Sequence, residues 1–202
     1  SVCDYVGVAI VGTTATLTDN TIFACKSAAV SVSGTATLRR NTIRDNEDGI
    51  ALTSGAATVT DNLICNSKGY GARVTNGTLT LIGNTISGNS VNGVSASGGT
   101  THLTNNLVAF NGWYGVYKGT YGAVGTVAHN NVFGSSIVNY SGLPDATGTD
   151  GNISVDPLFV NRAGYDFHLT SASPCIDAGQ DSVMVAGQTD LDGKPRIIGA
   201  HV

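Results

Sequence analysis

The chain has 202 residues, enough for one domain of ordinary size, and a formal net charge of −4. Only 12% of residues are charged and no basic run occurs, which argues against a nucleic-acid partner or a charged membrane surface. There is no apolar stretch of about 18 residues, so membrane insertion is not expected.

The predicted elements repeat. Val2-Cys3-Asp4 matches Ala24-Cys25-Lys26, so the chain enters partway round a unit. Units then open at Gly7, Ala29, Gly49, Gly71, Gly93 and Gly115. Each carries an asparagine, at Asn20, Asn41, Asn62, Asn84, Asn106 and Asn131, in steps of 21, 21, 22, 22 and 25 residues. Two places later comes Ile22, Ile43, Ile64, Ile86, Val108 or Phe133, and three places earlier Leu17, Leu38, Val59, Leu81, Leu103 or Ala128. A fixed period of this length marks a repeat architecture, in which units bury apolar faces by stacking.

Within a unit the pattern alternates as a strand does, with Val8/Ile10, Val30/Val32, Ile50/Leu52, Ala72/Val74 and Val94/Ala96 expected to point inward. Short strands rich in Thr, Val and Ile predict a parallel β-helix of about six to seven coils, stacked roughly 4.8 Å apart. Thr16, Thr37, Thr58, Thr80 and His102 form an outward column, explained by strand propensity. The recurring asparagine is expected at a turn, in a tolerated left-handed conformation and hydrogen-bonded to its stacked copies. Residues 141–151 read as a loop, after which Asn152 is placed to add a last rung.

The asparagine-centred repeat resembles the right-handed parallel β-helix of the pectate-lyase-like superfamily, which implies a right-handed solenoid and an asparagine ladder. From Asp156 a second resemblance begins. Asp156-Pro-Leu-Phe159, Tyr165-Asp-Phe-His-Leu169, Ser173-Pro-Cys-Ile-Asp-Ala-Gly179 and Asp190-Leu-Asp-Gly-Lys-Pro-Arg196 are similar to the choice-of-anchor Q region. That resemblance implies a bacterial secreted or surface protein. The expected organisation is β-helix repeats over residues 1–155 and a loop-rich C-terminal cap over 156–202, packed on the same solenoid.

Superfamily enzymes place their substrate along the outward face of the strand that opens each unit. Here that column is Ala9, Ser31, Ala51, Arg73, Ser95 and Tyr117, without the paired carboxylates a hydrolase needs. Arg73 is the one candidate base for a polysaccharide lyase acting on an acidic polymer, with Glu47 and Asp48 one coil earlier; a solvated salt bridge is the competing reading. The preceding turn carries Tyr70, Asn92 and Tyr114 in one column, with Trp113 and Tyr117 beside it. Tyr70 and Tyr114 lie two coils apart, roughly 10 Å, which suits alternate sugar rings. The competing reading packs these rings under residues 134–151. The expectation is an extracellular module, structural or glycan-binding and non-catalytic, with a lyase as the alternative.

Cys3 and Cys25 occupy equivalent places in consecutive coils, within reach of a disulfide; two stacked buried thiols are the alternative. No cofactor is expected, since Asp190-Leu-Asp192-Gly193 and Asp145–Asp150 are fragments of calcium loops and read as turns. An exposed coil end predicts end-to-end self-association.

Overall fold

The computed structural model describes residues 3–184 and 187–196. Strands follow in the order β1 (Val8–Thr18), β2 (Thr21–Phe23), β3 (Ala28–Arg39), β4 (Thr42–Arg44), β5 (Asp48–Thr60), β6 (Leu63–Cys65), β7 (Ala72–Val74) and β8 (Thr78–Ile82). They continue as β9 (Thr85–Ser87), β10 (Val94–Thr104), β11 (Leu107–Ala109), β12 (Tyr114–Ala128), β13 (Asn131–Phe133) and β14 (Val138–Ser141), then β15 (Phe159–Asn161) and β16 (Asp166–Leu169). All pairs are parallel except β15–β16. One sheet stacks the six short strands β2, β4, β6, β9, β11 and β13, and a longer one winds from β1 to β14. This is a parallel β-solenoid of about six coils.

Period-2 alternation sends three apolar columns into the interior. Val30, Ile50, Ala72, Val94 and Val116 are in register, as are Leu38, Val59, Leu81 and Leu103, and Ile43, Ile64, Ile86, Val108 and Val132. All are fully buried. Each large aliphatic side chain contributes about 1.5–3 kcal/mol by leaving water, so the stack is held chiefly by like residues on like. Between two of these faces the chain bends at a glycine column. At Gly55, φ is +84° and a Cβ would lie 2.0 Å from the Gly34 carbonyl oxygen, so only glycine fits.

The asparagine ladder forms as expected, with two corrections. Asn84 Oδ1 accepts from the backbone and side-chain amides of Asn62, both at 3.0 Å, and Asn84 Nδ2 donates to the Val59 carbonyl at 2.8 Å. The left-handed residue is the one before each asparagine: Asp19, Arg40, Asp61, Gly83, Asn105 and His129. The ladder continues through Asn130, 24 residues after Asn106, and ends at Asn152. The register of the last unit expected from Asn131 is therefore one residue late, and Val132 and Val127, not Phe133 and Ala128, fill the apolar columns. Irregular pairing between β10 and β12 inserts the extra residues, and adjacent Asn130 and Asn131 left the choice ambiguous.

A second ladder went unread in the sequence. Asn46 Oδ1 accepts from Cys25 N, Asn89 Oδ1 from Ser67 N, and Asn111 Oδ1 from both amides of Asn89, all at 3.0–3.1 Å. Its members stand five places after those of the first ladder and likewise follow left-handed residues, including Ala24, Asp45, Asn66 and Phe110. The signal was present but interrupted by Cys25 and Ser67.

Leu143 and Ala146, in the loop after β14, pack against the last core residues and cover that end. The described residues of the tail, 156–184 and 187–196, run back along the flank of the solenoid. Their anchors are corner residues: Asn105 exchanges hydrogen bonds with Gln180 at 2.8–2.9 Å, Arg40 donates to Thr189, Asp61 accepts from Gln188, and Asp45 accepts from Tyr165 at 2.8 Å. All four solenoid anchors have positive φ, which turns their side chains outward where the tail lies.

Candidate functional site

The predicted aromatic group lies where the register puts it. Tyr70, Asn92, Tyr114 and Val138 follow one another at the turn, and Arg73 pairs with Ser95, which pairs with Tyr117. The rings of Tyr114 and Tyr117 stack, with centroids 5.5 Å apart and planes 14° from parallel. Trp113 beside them is 52% exposed. The segment expected to fold over these rings forms the next coil instead, since Val138 and Ser141 pair with Tyr114 and Tyr117.

Asn92 does not belong to this surface. It is buried, and its Oδ1 accepts from the Tyr114 amide at 3.3 Å, so its side chain serves the turn. Arg73 is held by Asp48: Nε lies 2.8 Å from Oδ2, while Asp48 Oδ1 accepts from the Tyr70 amide at 3.0 Å. Its guanidinium stands 6.0 Å from the Tyr70 ring centroid. The salt-bridge reading of Arg73 is the one realised, with Asp48 as partner; Glu47 faces Lys68. An arginine fixed in this way presents a cation to a ligand.

Cys3 and Cys25 are backbone bridge partners on adjacent coils, the placement expected. Both cysteines are free thiols in this structure. Burial pushes the Cys25 thiol up to about 12, so little thiolate exists at neutral pH to drive exchange.

Sequence reasoning missed a cleft of about 490 Å³ between the C-terminal segment and the flank bearing β2, β4, β6 and β9. At its edge Asp61 is almost fully buried; Arg39 approaches its Oδ2 at 3.8 Å and Arg196 its Oδ1 at 3.5 Å, and among the described residues Oδ1 accepts no hydrogen bond. Burial raises its pKa, against the hydrogen bond from Gln188 and the guanidinium groups. Across the cleft His168 lies between two carboxylates, Nδ1 2.5 Å from Asp166 and Nε2 2.7 Å from Asp192. The cleft was invisible because its walls are far apart in sequence.

Neither calcium-like fragment clusters its acids. Asp190 Oδ1 accepts from the amides of Asp192 and Lys194, and Asp145 Oδ1 from that of Thr147, so both are Asx turns. Among the described residues no group of three or more His, Cys, Asp or Glu is arranged to hold a metal ion, and no helix is long and apolar enough to cross a membrane.

A family model described as "right handed beta helix region" matches residues 6–156. The chain belongs to this family, and the parallel solenoid seen here is its fold. No curated protein and no solved structure matches the chain.

Proposed function

We propose that this β-helical module is a non-catalytic, glycan-binding part of a bacterial surface or secreted protein. The carrying observation is the stacked Tyr114–Tyr117 pair, flanked by exposed Trp113 and by an Arg73 already fixed by Asp48. Aromatic faces suit the apolar faces of sugar rings, and a preset guanidinium suits a hydroxyl or a uronate carboxylate. The stacked tyrosines and the paired arginine are ordered before binding, which lowers the cost of taking up a ligand. The extracellular and bacterial parts of this reading rest on the choice-of-anchor Q resemblance of residues 156–196.

The test is a glycan array read with the wild-type chain and with Trp113→Ala and Tyr117→Ala. Retention on at least one polysaccharide, lost by about tenfold or more in both variants, supports the reading. Binding unchanged by both would remove it. The lyase alternative is checked on uronate polysaccharides by following new unsaturated ends. Activity that disappears in Arg73→Ala would replace a binding module with an enzyme.

A further inference from the structure

We propose that the cleft between the C-terminal segment and the flank of the solenoid binds a short neutral hexose saccharide. It shares no residue with the Tyr70–Tyr117 group and does not rest on that reading. Its volume, about 490 Å³, falls within the range of small-molecule sites.

The floor is one outward column of the six-stranded sheet: Thr21, Thr42, Leu63 and Thr85 in register. At coil spacing these four residues span roughly 14 Å. No hydrogen bond to any of the three threonine hydroxyls occurs among the described residues, so the floor offers donors and acceptors around one apolar side chain. Tyr165, Phe167 and Leu191 line the cleft from the tail. Hydroxyl groups interleaved with apolar and aromatic surface match the two sides of a pyranose ring.

Charge selects a neutral ligand. Every guanidinium lining the cleft already has an acid: Arg40 with Asp19 at 2.5 Å, Arg44 with Asp45 at 2.5 Å and Arg196 with Asp61 at 3.5 Å. His168 is likewise held by Asp166 and Asp192. With each charge at the cleft balanced by a partner, no unmatched charge there calls for an ionic ligand.

The experiment titrates the ¹⁵N-labelled full chain with cellobiose, maltose and lactose, and with digalacturonate as the anionic comparison. At least one neutral disaccharide is expected to shift the amides of Thr42, Leu63 and Thr85. Thr42→Trp, which fills the cleft, is expected to weaken that binding by about tenfold or more, and Trp113→Ala to leave it unchanged. Thr85→Arg is a second blocking variant should Thr42→Trp not fold, judged by its circular dichroism. Shifts from none of the three, shifts confined to the Tyr70–Tyr117 side, or shifts from digalacturonate alone would each overturn the proposal.

Discussion

Asn84 shows what a single rung does. It joins the coils on either side, accepting from both amides of Asn62 and donating to Asn106 Oδ1 and the Val59 carbonyl. Asn84→Ala leaves several of these groups buried and unpaired, at roughly 1–3 kcal/mol each. A loss of at least about 3 kcal/mol is expected in urea denaturation. A loss under 1 kcal/mol would mean that water replaces the rung, at about the cost of an exposed site. His168 makes the other prediction at this scale. Hydrogen bonds to Asp192 and then Asp166 raise its pKa, and the same bonds lower those of both aspartates. The histidine's contribution is complete below its unfolded value of about 6.5 and is lost as pH rises through the raised one. The aspartates' contribution is present above about 3.9 and lost as pH falls through their lowered values. The clasp between β16 and the 190–192 turn is therefore strongest from about pH 4 to 6.5. Hydrogen exchange at 166–169 and 190–194 should quicken as pH rises beyond that window, after correction for intrinsic rates. The step should vanish in His168→Gln; a step that persists there would assign it to another group.

The strands are held less by their own hydrogen bonds than by the columns they complete. Leu81 lies in register between Val59 and Leu103, and all three are fully buried. Leu81→Asp places an unpaired charge between apolar layers and costs several kcal/mol. Ile64→Asp, between Ile43 and Ile86, should behave alike. Both variants should lose the cooperative melting transition or unfold at much lower urea. A melting curve matching the wild type would show that the column repacks around the carboxylate. The tail belongs to the same account, because it docks on corners rather than on the open end. Its anchors lie at φ values of 49° to 58°, a region open to asparagine and aspartate but strained for arginine. That strain is tolerated where stacked neighbours fix the backbone on both sides.

For the whole molecule the asymmetry of the two ends matters. At one end Leu143 and Ala146 cover the core. At the other, β1 has a single neighbour among the described residues, β3, and Val11 and Tyr5 are 69% and 81% exposed. A strand edge of this kind templates further pairing. The chain as it stands is proposed to associate through this edge, giving a dimer if the contact is symmetric. Light scattering over a concentration series should show growth in mass, reduced in Val11→Lys. A constant monomer mass at high concentration would retire the idea.

The period, the three apolar columns and the first asparagine ladder were legible in the sequence because a coil contacts chiefly the coils beside it. Residues 21 or 22 apart become neighbours at nearly every step, so spacing carries register directly. Legibility failed where the period slipped: two adjacent asparagines at 130 and 131, with β12 irregular beside β10, displaced one unit by a residue. It failed again where chemistry depended on burial. Asn92 looks like a sugar contact until its side chain is seen to serve the turn, and only the fold decides that Asp48 rather than Glu47 takes Arg73. The return of the tail along the flank was beyond reach, since its pairings join residues 75 to 149 positions apart and follow no period. Nearest-neighbour stacking is written into a repeat, whereas the cleft exists only because the tail's sparse polar anchors find outward-facing corners on coils already built.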